Sequence, residues 1–489
     1  MDFVPPPRML QPGHNCWCIE PATRASIIVD ADDYFNAARA AMQLARHRIM
    51  LIGWDFDARI ELGRNAEDGG PATVGDFILW LADRTPTLQI FILRWDVGAL
   101  KSLTQGSTLV KLAQWMLHPR VEVRLDSAHP TGSSHHQKLV SIDDNFAFCG
   151  GIDMTEGRWD TRAHIDDDPG RIGPSGKPNQ PWHDATSAIE GPAAQRLSEL
   201  CRTRWHRAGG GTLAPLDTAN DCWPDKLPVD FHNTAIAVAR SEPEMPDWQP
   251  TLEIENLYLD LIRRARRFIY AESQYFASRR IAEALSHRLG EPDGPEVIIV
   301  NPVEAQGWLE PIAMDSARAR LYQALHLKDQ YQRLRIYHAF TAGGEPVYIH
   351  AKIAIIDDEV LKVGSSNFNN RSMRLDTECD IVIDATLPGN GGCAARISAI
   401  CHELIAEHLG VEPQQITDAL RQHGSMIAVI DALAGSDGRM RPYEVPDLSS
   451  VEKWLADNEV LDPEGPEEMF EALTKRGLFR HFGFFAQPD

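Results

Sequence analysis

The sequence predicts an α/β protein made of two similar halves related by a pseudo-two-fold axis, each half a mixed β-sheet flanked by helices. Amphipathic stretches with helical periodicity alternate with short apolar runs, and such alternation is typical of sheets that are at least partly parallel. The same order of elements occurs twice, which indicates an internal duplication with a long repeat. A segment rich in Gly and Pro, residues 209–229, separates the two copies.

The first copy begins with a predicted helix over residues 30–48, for which Asp30 or Asp32 is a suitable N-cap. A stretch rich in Gly, Pro and Asp, residues 157–182, predicts a long loop, and loops of this length in compact domains are often functional. The remaining predicted elements of this copy are buried strands at 49–57, 88–96 and 121–126 and helices at 74–84 and 191–208.

The second copy repeats this order, with a helix followed by a strand within residues 255–276 and further strands at 295–302 and 334–340. We therefore expect an N-terminal unit over residues 1–215 and a C-terminal unit over 230–410. Residues 411–489 are expected to form a helical extension packed on the second unit.

Composition narrows the class of protein. The net charge of −22 argues against a general nucleic-acid binder, because an acidic surface repels polyanions. No stretch approaches the roughly 20 apolar residues that span a bilayer, and prolines occupy the N-terminal region where a signal peptide would be apolar. We therefore expect a cytoplasmic protein, or one delivered by a secretion system that needs no signal peptide.

One segment occurs in both copies and carries the chemistry. HQKLVSIDDNFAFCGGID (136–153) aligns without a gap with HAKIAIIDDEVLKVGSSN (350–367). Each contains a His, a Lys two residues later and an Asp five residues after that. One such pattern is weak evidence, whereas two in the same position of a duplicated α/β unit are strong evidence of a site. The matched pairs are His136 with His350, Lys138 with Lys352, Asp143 with Asp357 and Gly150 with Gly364.

The spacing suits phosphoryl chemistry. Side chains two residues apart on a strand share a face, so each histidine lies beside its lysine. At a pseudo-two-fold axis, two imidazoles and two ammonium groups would line one pocket. The lysines would stabilise phosphate charge, one imidazole would attack phosphorus, and the other would transfer protons. Because the lysines supply positive charge, we expect no cofactor to be required.

A nucleophilic imidazole also needs a carboxylate on its other ring nitrogen to fix its tautomer. The candidates are Asp184 in PWHD and Glu378 in DTECD. Each lies downstream of its own motif, where a returning strand is expected to place it beside the histidine of the same half.

These segments resemble the phospholipase D superfamily, whose signature is two such motifs. SSHHQK, FCGGIDMTEGRWDT and PWHDATSAIEGPAA look like the first half of the catalytic core of eukaryotic-type phospholipase D. IYAESQYF and YIHAKIAIIDDEVLKVGSSNFNNRSMRLDTE look like its second half, and the resemblance extends from about residue 26 to residue 406. The resemblance implies the phospholipase D fold described above.

The resemblance also implies roles for individual residues. His136 would be the nucleophile and His350 the general acid and base, although the sequence leaves the opposite order open. Asp184 and Glu378 would orient the histidines. The remaining implied roles are phosphate binding by Lys138, Lys352 and Asn367, with Ser365 close by, and bracing of the motif loops by Asp143 and Asp357.

The function implied is hydrolysis of glycerophospholipids, at a membrane surface, to phosphatidic acid and the head-group alcohol, with transphosphatidylation when an alcohol replaces water. A cardiolipin synthase-like phosphatidyltransferase and a nuclease of the same superfamily are the alternatives; a silent lipid-binding protein is disfavoured by the two intact motifs. Calcium dependence stays open, with Asp166–Asp168 as a candidate site. Head-group preference and oligomeric state do not follow from the sequence.

Overall fold

The computed structural model describes residues 9–64, 67–95, 106–217, 220–306, 314–434 and 438–446. In these ranges sixteen strands pair into one mixed sheet flanked by helices, and two short strands pair separately, which confirms the α/β class. The strands up to residue 190 are β1 Cys18–Val29, β2 Arg48–Gly53, β3 Gln89–Trp95, β4 Val121–Asp126, β5 Leu139–Ile142, β6 Phe146–Gly150, β7 Trp182–His183 and β8 Ala185–Glu190.

The remaining strands repeat that series with two additions. They are β9 Phe231–Glu242, β10 Thr251–Leu252, β11 Phe268–Glu272, β12 Glu296–Val300, β13 Leu334–Ala339, β14 Tyr348–Ile349, β15 Ile353–Ile356, β16 Val360–Gly364, β17 Glu378–Asp384 and β18 Met440–Pro442. The α-helices are α1 Ala31–Leu44, α2 Val74–Arg84, α3 Gly106–Leu117, α4 Pro192–Arg207, α5 Glu253–Arg264, α6 Arg279–Leu289, α7 Ser316–His326, α8 Cys393–Leu409, α9 Pro413–His423 and α10 Met426–Leu433.

The strand order confirms the duplication. From the centre outward, the first half runs β1-β8-β6-β5-β2-β3-β4 and the second runs β9-β17-β16-β15-β11-β12-β13. In each half the three outer strands of this series are parallel and the others are antiparallel. The halves join through the antiparallel pair β1 and β9, so the pseudo-two-fold axis passes between these strands.

The two joining strands are the elements that the sequence did not predict. Strand β1 contains Pro21, a residue that cannot donate to a sheet ladder. Pro21 is paired with Ala235 of β9, but β8 pairs with β1 only from Arg24 onward. The proline therefore occupies a part of β1 with a strand on one side only, where its missing N–H does not break the sheet.

Most other predicted elements are present with shifted ends. Helix α2 and strand β4 match their predicted ranges, β3, β12 and β13 lie inside theirs, and β2 begins one residue early and ends four residues early. Helix α1 ends at Leu44, before the predicted residue 48, because Arg48 already begins β2. Asp30 is its N-cap residue, but the Asp30 side chain makes no capping bond and instead accepts the backbone N–H of Asp184 at 3.0 Å.

The core extends across the joining strands. One cluster of buried apolar side chains contains Leu197 from α4, Val238 from β9 and Ile405 from α8. The limits 1–215 and 230–410 stay predictions, since one sheet and this cluster run through both. Helices α9 and α10 add Ile416 and Val429 to this cluster, whereas most of the predicted 411–489 extension, residues 447–489, lies outside the described residues. No helix in the described ranges is long and apolar enough to span a bilayer.

Candidate active site

The two repeated motifs meet where the halves join. Each motif histidine precedes a short strand, His136 before β5 and His350 before β15, and each is held by a backbone hydrogen bond from the opposite half. His136 N donates to the carbonyl of Thr377 at 3.1 Å, and His350 N donates to the carbonyl of His183 at 2.7 Å. The parallel pairing of β7 with β14 extends the second of these contacts.

The histidine–carboxylate pairs cross between the halves. His136 Nδ1 lies 2.9 Å from Glu378 Oε2, and His350 Nδ1 lies 2.6 Å from Asp184 Oδ2. The expectation that each acid lies beside the histidine of its own half was wrong. Asp184 and Glu378 directly precede or begin the strands β8 and β17 next to the joining pair, so the chain before each strand runs along the motif of the other half.

Glu378 is held by two serines. Its carboxylate accepts hydrogen bonds from the hydroxyls of Ser365 and Ser372, the second at 2.7 Å, and it is fully buried. Ser365, predicted to lie near the phosphate, is thus bonded to the acid that holds His136. The first half has Gly151 in place of Ser365, and a Cβ there would lie 2.2 Å from Asp184 Oδ1. The two halves therefore differ at this position because Asp184 lies too close to residue 151 for a side chain there, whereas Glu378 leaves room for Ser365.

The predicted phosphate ligands differ between the motifs. Lys138 Nζ lies 3.2 Å from Asp153 Oδ2, an ion pair that the sequence analysis did not foresee although Asp153 aligns with Asn367. Lys352 is 1% exposed and donates to the carbonyl of its own His350. Asn367 Oδ1 is buried and has no hydrogen-bond partner among the described residues. The second motif therefore offers more free polar capacity than the first.

Burial and the lysines keep both histidines neutral. Burial, followed by the charges of Lys138 and Lys352, lowers the pKa of His136 well below its ordinary value. Burial and then Lys352 lower the pKa of His350 in the same way, with Lys138 contributing from the other motif. Burial lowers the pKa of Lys352 to about 7 and raises that of Glu378 to about 8. Because charges of each motif act on the histidine of the other, the motifs form one site.

Asp143 and Asp357 lie away from the histidines and brace the fold. Asp143 accepts the backbone N–H groups of Arg46, His47 and Arg48 at 2.7–2.8 Å. Asp357 accepts the three equivalent N–H groups at 2.7–2.9 Å, those of Arg266, Arg267 and Phe268. Each aspartate has a positive φ, 49° and 55°, in the turn after its motif strand. Asp143 therefore fixes the start of β2, and Asp357 fixes the start of β11.

Aromatic side chains that the sequence analysis missed lie beside His350. Trp182 stacks on Tyr348 with ring centroids 4.6 Å apart, and its ring lies 5.0 Å from that of His350. The pairing of β7 with β14 brings Trp182 and Tyr348 together, and the sequence alone does not reveal this pairing. His135 is fully buried against Thr377, and burial lowers its pKa to about 3, so it is a neutral neighbour of His136.

A buried group next to Asp184 could hold a metal ion. Asp30, whose N–H donates to the carbonyl of Asp184, contributes a ligand atom, as do His164, His183 and Glu407, and these four atoms lie within 4.8 Å of one another. His183 Nδ1 lies 2.9 Å from Glu407 Oε1, and Asp30 Oδ2 lies 3.5 Å from His164 Nε2. A divalent ion or protonated imidazoles would balance these carboxylates.

The second ring nitrogen of each histidine in this group faces another carboxylate. His183 Nε2 lies 2.8 Å from Glu272, and His164 Nδ1 lies 3.0 Å from Asp160, an arrangement that also orients metal-bound histidines. Burial opposes protonation, but the surrounding carboxylates raise the pKa of His164 to about 10. In the loop Asp166–Asp168, Asp166 accepts the N–H of Gly343 at 2.7 Å, and the dependence on calcium stays a prediction.

The fold and site define a duplicated α/β protein with paired His–Lys motifs at the junction of its halves. Two family models match it between them over most of its length, "Phospholipase D" over residues 41–243 and "Cardiolipin synthase, PLD-like domain" over residues 258–400. The chain belongs to the phospholipase D superfamily.

Similar proteins and one solved structure are consistent with this superfamily. Phospholipase D alpha 1 of Carica papaya is 26% identical over 82% of this chain and 65% of its own length, so the chain spans less than two thirds of that protein. Phospholipase D A of Dictyostelium discoideum is 24% identical, over 79% of this chain and 36% of its own. The phosphatidylserine synthase of Haemophilus influenzae Rd KW20 has the same fold, with TM-score 0.55, 14% identity and coverage of 85% and 97%.

Proposed function

We propose that the protein is a phosphodiesterase that cleaves glycerophospholipids to phosphatidic acid and the head-group alcohol. The observation that carries this is the crossed arrangement of His136 with Glu378 and His350 with Asp184 beside two buried lysines. Two oriented imidazoles on one anion site are what a two-step phosphoryl transfer needs. The similarity of the chain to phospholipase D proteins supports this substrate class.

The first step forms a covalent intermediate at His136. Glu378 accepts a hydrogen bond from the Nδ1–H of His136, which keeps the proton on Nδ1 and leaves the Nε2 lone pair of the neutral ring free to attack phosphorus. The bond from phosphorus to the head-group oxygen breaks, and His350 gives its Nε2 proton to that oxygen. Burial and cations lower the pKa of His350, but a bound phosphodiester brings a negative charge that favours its protonated form.

The second step reverses the proton path. His350, now neutral and held by Asp184, takes a proton from water while the water oxygen attacks phosphorus. The bond from phosphorus to His136 breaks, and phosphatidic acid leaves. An alcohol in place of water gives a transphosphatidylation product by the same steps. Lys138, Lys352 and Asn367 are proposed to stabilise the phosphoryl oxygens, so that these steps need no metal ion.

A lipid panel tests the proposal. Vesicles of phosphatidylcholine, phosphatidylethanolamine and phosphatidylserine, incubated with and without ethanol, are expected to give phosphatidic acid and, with ethanol, phosphatidylethanol. A phosphatidyltransferase is the second candidate because the model for residues 258–400 describes a cardiolipin synthase domain. Lipid-to-lipid transfer without phosphatidic acid would favour it. Degradation of DNA with no lipid product would overturn both.

A further inference from the structure

Arg158 is a cation beside the candidate active site that the proposed steps do not use. It is half-buried in the segment that follows β6, and its guanidinium carbon lies 4.1 Å from the ring centroid of Trp182. The Trp182 ring lies 5.0 Å from that of His350. Arg158 is therefore separated from the second motif by one aromatic side chain.

The guanidinium has no anionic partner among the residues that the structure describes. Its Nε is buried there without a hydrogen bond, and none of the ion pairs found in these residues includes Arg158. Lys138 differs, since Asp153 balances it at 3.2 Å. Burial of an unpaired charged donor is unfavourable, so this position suits an anion that arrives with a ligand.

The charge of Arg158 acts on residues around the second motif. After burial and Lys352, its charge is the next cause that lowers the pKa of His350, and it also acts on Asp184 and Tyr348. In the proposed mechanism His350 protonates the departing head-group oxygen. In that mechanism the head group leaves on the side of His350, where Trp182, Tyr348 and Arg158 lie.

We propose that Arg158 binds an anionic group carried by the head group, a carboxylate or a second phosphate, and so favours diesters whose leaving alcohol is itself negatively charged. A guanidinium matches either group with two parallel N–H donors. Trp182 holds it in place through the cation–π contact when no substrate is bound. This inference rests on the proposed function, because it takes the departing alcohol to lie beside His350.

Phosphatidylserine and phosphatidylethanolamine test it, because their head groups differ by one carboxylate. In detergent micelles containing one lipid or the other, the ratio of kcat/KM for the serine lipid to that for the ethanolamine lipid is expected to fall about tenfold in R158Q, the size of one lost charge-assisted contact. R158K should lose less, because it keeps the charge without the fork. R84Q, which removes an arginine from Trp80 on α2, should leave the ratio unchanged.

Equal losses on both lipids would overturn the proposal, since Arg158 would then act on the phosphoryl group or on the fold. A second measurement separates it from the proposed function. In the His136→Ala variant, calorimetric binding of glycerophosphoserine is expected to exceed that of glycerophosphoethanolamine about tenfold, and the added R158Q change should remove the difference. Equal binding of the two compounds would refute the role of Arg158, whether or not turnover is observed. Unequal binding without any turnover would refute only the proposed phosphodiesterase function.

Discussion

His136 and Glu378 belong to different halves of the chain, yet His136 Nδ1 lies 2.9 Å from Glu378 Oε2. The mirror contact joins His350 to Asp184 of the first half at 2.6 Å. Each imidazole is therefore oriented only when both halves are folded and joined through β1 and β9. The site is a property of the duplicated fold, because neither copy supplies a complete histidine–carboxylate pair.

The crossed pairing predicts that Glu378→Gln acts on the chemistry of His136, 242 positions away in sequence. An amide in place of the carboxylate favours the wrong tautomer, and the loss in kcat is expected to be about 100-fold or more. Rapid quenching with labelled phospholipid should show slower formation of the acid-labile, base-stable phosphohistidine. E359Q, which changes an acid paired with Arg264 at the surface, is the matched control. A labelled intermediate formed at the normal rate in Glu378→Gln would contradict the pairing.

The roles of the two histidines predict opposite responses to the leaving group. His136→Ala should give no intermediate with any diester. His350→Ala should lose activity on lipids but still react with a p-nitrophenyl phosphodiester, because that alcohol leaves without a proton. The intermediate should then accumulate, since no base activates water. Single-turnover release of p-nitrophenol measures both variants, and the reverse pattern would exchange the two roles.

A pH profile tests the state of Glu378. Burial raises its pKa to about 8, and the hydrogen bonds from Ser365 and Ser372 lower it against that effect. The ionised carboxylate orients His136, so ionisation of Glu378 should raise kcat/KM as pH increases through about 8. Loss of the Lys352 charge above about pH 7 should lower it, and a bell-shaped profile is expected. Ser372→Ala removes a hydrogen bond to the ionised form, which raises the pKa and should move this rise about one pH unit higher. S198A, a buried serine bonded to Ser141, should leave the profile unchanged.

The sequence predicted the elements that occur in both halves, but it did not predict the contacts that join one half to the other. The gap-free match of residues 136–153 with 350–367 identified all the motif members, and periodicity found most strands because their burial is continuous. Strands β1 and β9 were missed because Pro21 and a mixed burial pattern hide β1. Asp184 was assigned to the wrong histidine, and the group around His183 and Glu407 was not seen, because strand order alone decides which distant segments are adjacent.

Asp143 and Asp357 are motif members by sequence, but their contacts predict an effect on stability. Asp357 accepts three backbone N–H groups that precede or begin β11, and D357A removes all three hydrogen bonds. The free energy of unfolding is expected to fall by about 1.5–3 kcal/mol, because the exposed N–H groups of Arg266 and Arg267 can bond to water instead. Thermal and urea unfolding measure this, and D358A, whose carboxylate pairs with exposed Arg267, should cost under about 1 kcal/mol.

At a temperature where D357A is folded, its kcat should stay within about threefold of wild type, whereas His350→Ala, on a neighbouring part of the same motif, should be inactive on lipids with normal stability. A D357A protein that unfolds normally but has lost turnover would show instead that the aspartate takes part in the chemistry.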